Sequence, residues 1–215
     1  MKTKDKILDV ALRQFNELGS DKVSIRSIAN ELGISPGNLC YHYKNTDAII
    51  FQLYLNLVSE MDEIANKIQD PAASMRTLIE GALHTFPVMY RYKFLLIDFV
   101  AITRRMKTLR QHFRELIALR RMQFSVIINN MIAQGLVREE WVPGMYEQYI
   151  NRAIILGDAW IPNAEVYFDS PGADAIYFYA QVYISSMVPY LTEKGLKQYE
   201  EVVGEHPVLS ASLSR

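Results

Sequence analysis

The chain of 215 residues holds a single cysteine, Cys40, so no intrachain disulfide framework is open to it and a reducing compartment is expected. It has no excess of charge of either sign: the formal net charge is −1, which excludes a polybasic nucleic-acid coat. No apolar run reaches the roughly 18–20 residues that a membrane span needs. The opening Lys2–Lys6 stretch leads into an amphipathic pattern rather than a basic-then-apolar signal, and a soluble cytoplasmic protein is the expectation. Metal-ligand spacings such as CxxC or HExxH, a nucleophile elbow and a glycine-rich phosphate loop are all missing, so no catalytic residue, metal or cofactor is expected. The four histidines, His42, His84, His112 and His206, are scattered. Repeats, low-complexity segments and convincing strand alternation are absent as well.

What is present is helical periodicity over a half-hydrophobic composition. Ile7, Leu8, Ala11, Leu12 and Phe15 trace a first helix over 3–18, ended by Gly19. Between Ser24 and Asp47 lies the stretch that organises the chain. Ile25, Ile28, Ala29 and Leu32 share one helical face. Gly33 follows, where a C′ position favours a left-handed backbone. Ser35 can cap a second short helix, with Pro36 in its first turn, where a missing N–H costs nothing. Ile34 and Leu39 are expected to close the small core, and Ala29 is the small side chain that two steeply crossing helices need where they touch. This is a helix-turn-helix pattern, whose second helix enters the DNA major groove. On that helix Asn38, Tyr41, His42 and Lys44 are expected to face outward, with Leu39 and Tyr43 inward. An asparagine reads an adenine edge, while lysine and hydroxyl groups hold phosphate.

The order Ser24, Ile28-Ala29, Leu32, Gly33-Ile34-Ser35, Gly37, Cys40, His42-Tyr43, Thr46 resembles the signature of the tetracycline-repressor (TetR) family of bacterial transcription regulators. The resemblance covers about the first quarter of the chain. It implies an all-α protein with an N-terminal three-helix DNA-binding domain, set at 1–47, and a larger helical domain, 48–215, for effector binding and dimerisation. Carried over by position, the implied DNA-contacting residues are Ser24, Arg26, Gly37, Asn38, Cys40, Tyr41, His42, Lys44 and Thr46. Two depart from the pattern. Cys40 stands where the family usually has a tyrosine on the DNA backbone, and Thr46 where a lysine usually meets a phosphate. Residues 1–47 carry seven cations against six anions, so one copy is expected to bind DNA weakly and dimerisation to matter.

Further helices are expected at about 47–68, 73–90, 93–105, 107–134, 144–160, 172–191 and 192–203. Asn45 or Thr46 can cap the first of these, Pro87 should kink or end the second, and Pro162 and Ser170-Pro171-Gly172 should separate the 144–160 and 172–191 helices. The tail from His206 should fray. Residues 86–190 are rich in aromatics, which build ligand pockets, cores and interfaces alike. Candidate ligand residues are His84, Arg91, Asp98, Phe99, Trp141, Asp158 and Trp160. Asp98 and Asp158 lie inside apolar runs, where a carboxylate serves either a ligand's polar group or a structural ion pair. The basic run from Arg104 to Arg121 reads as a solvated face or as a surface for an anionic partner. Candidate dimer residues are Tyr146, Tyr149, Ile150, Tyr177, Ala180, Ile184 and Met187. The function implied is a homodimeric repressor on a pseudo-palindromic operator in double-stranded DNA, relieved by a small-molecule effector. The alternative is an architectural DNA-binding protein that works through partner proteins with no effector.

Overall fold

The computed structural model describes residues 3–206 and Leu209. The described residues form eleven α-helices: α1 (Thr3–Leu18), α2 (Ile25–Leu32), α3 (Pro36–His42), α4 (Thr46–Ile68), α5 (Met75–Arg91), α6 (Lys93–Ile97), α7 (Phe99–Arg105), α8 (Lys107–Ala133), α9 (Met145–Tyr167), α10 (Ala173–Ser185) and α11 (Glu193–Glu205). A 3₁₀ turn, Val188–Tyr190, follows α10. The only extended pairing among the described residues is an isolated antiparallel bridge between Val137 and Leu191. The all-α expectation holds. The tail expected to fray lies, apart from His206 and Leu209, outside the described residues.

The chain divides into two compact units, Met1–Glu60 with Arg91–Arg114, and Met61–Tyr90 with Glu115–Arg215. In the first, Ile7, Ala11 and Phe15 of α1 pack with Ile28 and Ala29 of α2, Leu39 of α3 and Ile49 and Ile50 of α4, all fully buried. The segment 91–114 closes this core. The Phe94 ring stacks on Phe15 at 4.9 Å, and the Asn16 side chain donates to the Arg91 carbonyl (2.8 Å) while accepting from the Phe94 N–H (3.1 Å). The second unit is built on Met75, Ile79, Met131, Leu136, Ile184, Leu191 and Val202.

Two expectations about helix limits are corrected, at Pro162 and over 93–105. Pro162 does not end its helix, because α9 runs on to Tyr167. A proline inside a helix forfeits one backbone hydrogen bond, but Trp160, Ile161 and Ala164 around it are fully buried, and their packing holds both halves together. Pro87 is likewise carried inside α5, between buried Phe86 and Met89. The helix expected over 93–105 is two, broken at Asp98, whose carboxylate accepts the Ser20 N–H at 2.7 Å. Asn45, not Thr46, caps α4, its side chain accepting the Ala48 N–H at 2.9 Å.

Candidate nucleic-acid interface

Caps and one buried polar network fix the geometry of α2 and α3. Ser24 and Ser27 cap each other reciprocally at the start of α2, each hydroxyl accepting the other's N–H at 3.1 Å. Gly33 ends α2 with φ +66°, and the Ile34 N–H returns to the Ala29 carbonyl at 3.0 Å. Ser35 then caps α3 through the Asn38 N–H (3.1 Å), with Pro36 in the first turn. Gln14 on α1, only 6 % exposed, locks α2 from behind. Its amide donates to Glu31 (2.8 Å) and to the Ser27 carbonyl (3.3 Å), and its oxygen accepts from the Ser27 hydroxyl (2.8 Å). Arg13 pairs with the same Glu31. Sequence reading missed Gln14, since a glutamine on the apolar side of an amphipathic helix looks like noise until its partners are known.

The exposed face of α3 follows from this frame. Leu39 is fully buried and Tyr43 nearly so, with the Lys4 ammonium 5.8 Å from the Tyr43 ring centre. Burial, with Asp5 nearby, raises the Tyr43 pKa, so its hydroxyl stays neutral. Gly37, Asn38, Cys40, Tyr41 and Lys44 are exposed, as are Ser24 and Arg26, while His42 and Thr46 are half-buried. Tyr41 stands 85 % exposed, its ring edge-on to His42 at 5.3 Å. The exposed side chains on this face are Asn38, Tyr41, Lys44 and Arg26, with His42 partly exposed beside Tyr41, whereas the Ser24 hydroxyl is occupied in the cap.

The seven ligand candidates are divided between the two units. Arg91, Asp98 and Phe99 belong to the first unit. There Arg91 pairs with Glu60 at 2.8 Å, Asp98 holds the Ser20 backbone, and Phe99 packs edge-on to Phe113 at 4.5 Å. Asp98 is therefore engaged by a backbone N–H rather than an ion pair. In the second unit His84 is exposed, with Nδ1 2.7 Å from the Glu80 carbonyl, and Trp141 is exposed near Tyr190. Asp158 is exposed by accessible area, yet desolvation pushes its carboxyl up to about 6; the exposure keeps the energetic consequence small. Trp160 is fully buried among Phe86, Tyr90 and Tyr179, with ring centres 5.1–6.0 Å away, and its indole N–H has no hydrogen-bond partner among the described residues.

Of the dimer candidates, Ile150, Ala180 and Ile184 are buried within their own protomer and offer no surface, and Tyr146, Tyr149, Tyr177 and Met187 are half-buried. The apolar side chains that α9 and α10 leave bare are others: Ile155, Val166 and Tyr167 on α9, Phe178 and Val182 on α10.

Fold and interface together define an all-helical protein with an N-terminal helix-turn-helix. A family described as "Bacterial transcriptional repressor" matches residues 56–199, and one described as "Bacterial regulatory proteins, tetR family" matches residues 7–53. The chain belongs to the tetR family of bacterial regulatory proteins. It is 34% identical over 61 residues, 28% of its length, to the "HTH-type transcriptional repressor Rv1474c" of Mycobacterium tuberculosis, and spans 33% of that curated relative. Its fold matches a TetR-family transcriptional regulator from Marinobacter aquaeolei VT8 with a TM-score of 0.82 at 23% identity, over 95% of this chain and 97% of that one. A putative transcriptional regulator from Saccharomonospora viridis, solved in complex with choline, matches with a TM-score of 0.68 at 16% identity, over 88% and 98%.

Proposed function

We propose that the protein is a homodimeric transcriptional repressor that reads operator DNA with α3 and leaves it on binding a small-molecule effector. The observation that carries the reading is the α2–α3 pair: capped at both helix starts, locked by Gln14, and presenting Tyr41 almost bare beside Asn38 and Lys44. Residues 1–47 would do the reading, and 48–215 would supply dimerisation and effector binding. The exposed stripes Ile155–Val166 and Phe178–Val182 are the surface through which two protomers join.

For the effector, the surroundings of Trp160 support a site in the second unit. A buried N–H without a partner costs about 1–3 kcal/mol, and an accepting group on an aromatic-contacting ligand would relieve that cost. The choline complex of a protein of the same fold is consistent with such a role. The effector releases DNA only if it binds more tightly to a conformation that does not fit the operator.

The test uses a duplex that the protein itself selects from a random library. Tyr41→Ala, His42→Ala and Lys44→Ala are each expected to weaken binding to it while leaving the helical circular-dichroism spectrum unchanged. Each lost base or phosphate contact should cost about 1–3 kcal/mol. Parent affinity retained by all three variants would rule out α3 as the reader.

A further inference from the structure

Charge is divided unevenly between the two compact units. The first carries fourteen Lys and Arg against eight Asp and Glu, and the second nine against sixteen. The helix-turn-helix does not account for the excess, because residues 1–47 hold seven cations and six anions. The excess lies in 91–114, where seven cations stand against the single Asp98. Some of these are engaged: Arg91 with Glu60, and Arg105 with Asp47 at 3.0 Å. Arg104, Lys107, Arg110 and Arg114 are exposed, and among the described residues none of them is in an ion pair.

These four run from the last turn of α7 into the opening turns of α8, and Lys107 to Arg114 covers about 10 Å along the helix. For α8 this is the unfavourable end. The start of a helix carries partial positive charge and stabilises acids, yet α8 has no acid in its first turn. Helix stability therefore does not explain the arrangement. The patch is also held in place. Arg105 is pinned to Asp47, and the Tyr54 hydroxyl is 2.9 Å from His112 Nδ1, with the Phe51 and Tyr54 rings edge-on to that imidazole. Asp47 lies in the first turn of α4, three residues after Lys44, so the patch begins beside the segment that leaves the reading helix.

We propose that Arg104, Lys107 and Arg110 form a second, sequence-independent DNA contact, gripping backbone phosphates that flank the bases read by α3. The proposal rests on the reading of α3 given above and commits to one occupant, duplex DNA, whose charge complements the patch and whose reading surface adjoins it. It explains how a nearly neutral helix-turn-helix holds a polyanion. Affinity for duplex DNA comes largely from released counterions, and each phosphate neutralised steepens the salt dependence, as log affinity against log salt, by about 0.9.

The experiment measures binding across a salt series on two duplexes: the core sequence selected by the parent protein, and the same core lengthened by flanking base pairs on both sides. The parent is expected to bind the longer duplex more tightly. The triple variant Arg104→Gln, Lys107→Gln, Arg110→Gln should lose that gain and lower the salt slope by about 3, while still preferring the core to a scrambled sequence. Tyr41→Ala should do the opposite, losing the preference while keeping the gain from length. A triple variant equal to the parent in affinity and slope on both duplexes overturns the proposal, and the loss of preference in Tyr41→Ala would then leave the α3 reading standing. If the parent selects no sequence, the α3 reading fails by itself, and a slope on random duplex still lowered by the triple variant would keep the phosphate patch. Should the triple variant misfold, Arg110→Gln alone carries the test, with a slope lower by about 1 expected and an unchanged slope overturning it.

Discussion

Asp98 and Asp158 look alike in sequence, each a lone carboxylate in an apolar run, and the structure gives them different fates. Asp98 accepts a backbone N–H and fixes the turn after α1. Among the described residues Asp158 has no such donor, and desolvation pushes its carboxyl up to about 6. Because that value lies above the ordinary 3.8, the folded chain favours the protonated form. The stability that results is complete below 3.8 and is lost as the pH rises through about 6. Asp158→Asn removes the loss. Urea unfolding should find variant and parent alike at about pH 3.5 and the variant modestly more stable at about pH 7.5. A variant with no advantage at the higher pH contradicts the assignment. The distinction between the two aspartates was not legible in the sequence, because it depends on Ser20, 78 residues from Asp98 along the chain.

At the scale of elements, helices were read well wherever a local signal set their ends. Gly19 and Gly33 adopt positive φ after the helices they terminate, and Ser35 and Asn45 cap as their side chains allow. Prediction failed where packing overrules the local preference. Pro162 sits within α9 because buried side chains on both sides outweigh one lost hydrogen bond, and no pattern within the segment reveals that. The same blindness covers close approaches between elements. Gly195 in α11 lies so near the Leu136 carbonyl that an added Cβ would stand 2.0 Å from its oxygen. Around it Thr192 joins both sides, its N–H bonding the Leu136 carbonyl (3.0 Å) and its hydroxyl the Gly135 carbonyl (2.7 Å). Gly195→Ala should therefore force α11 away from the α8 terminus and destabilise the second unit by about 1–3 kcal/mol. Gly204→Ala, with open space around it, serves as the control expected to cost nothing. Equal unfolding midpoints for the two variants would refute the close approach.

For the whole molecule, the sequence disclosed the class of the N-terminal helix-turn-helix and left the assembly obscure. Ile150, Ala180 and Ile184, candidates for a dimer surface, are buried within the chain itself, and hydrophobicity does not distinguish a core position from an interface position. For the homodimer proposed above, exposure favours Phe178 and Val182 with Ile155 and Val166. A charge at Phe178 should leave the chain folded, since that side chain is half exposed, and should separate the proposed dimer. Sedimentation of Phe178→Asp at micromolar concentration is expected to give a monomer with greatly weakened DNA binding, because a single head loses the effective concentration that its partner provides. A dimeric Phe178→Asp protein would move the interface elsewhere.

The claim on which the rest depends is that two copies of α3 read two half-sites. Hydroxyl-radical footprinting on the duplex selected by the parent protein tests it most directly. The account predicts two protected patches on one face of the duplex, related by a pseudo-two-fold axis and about one or more helical turns apart, and both should vanish together in Tyr41→Ala. A single patch, or a two-patch footprint that Tyr41→Ala leaves intact, would contradict it.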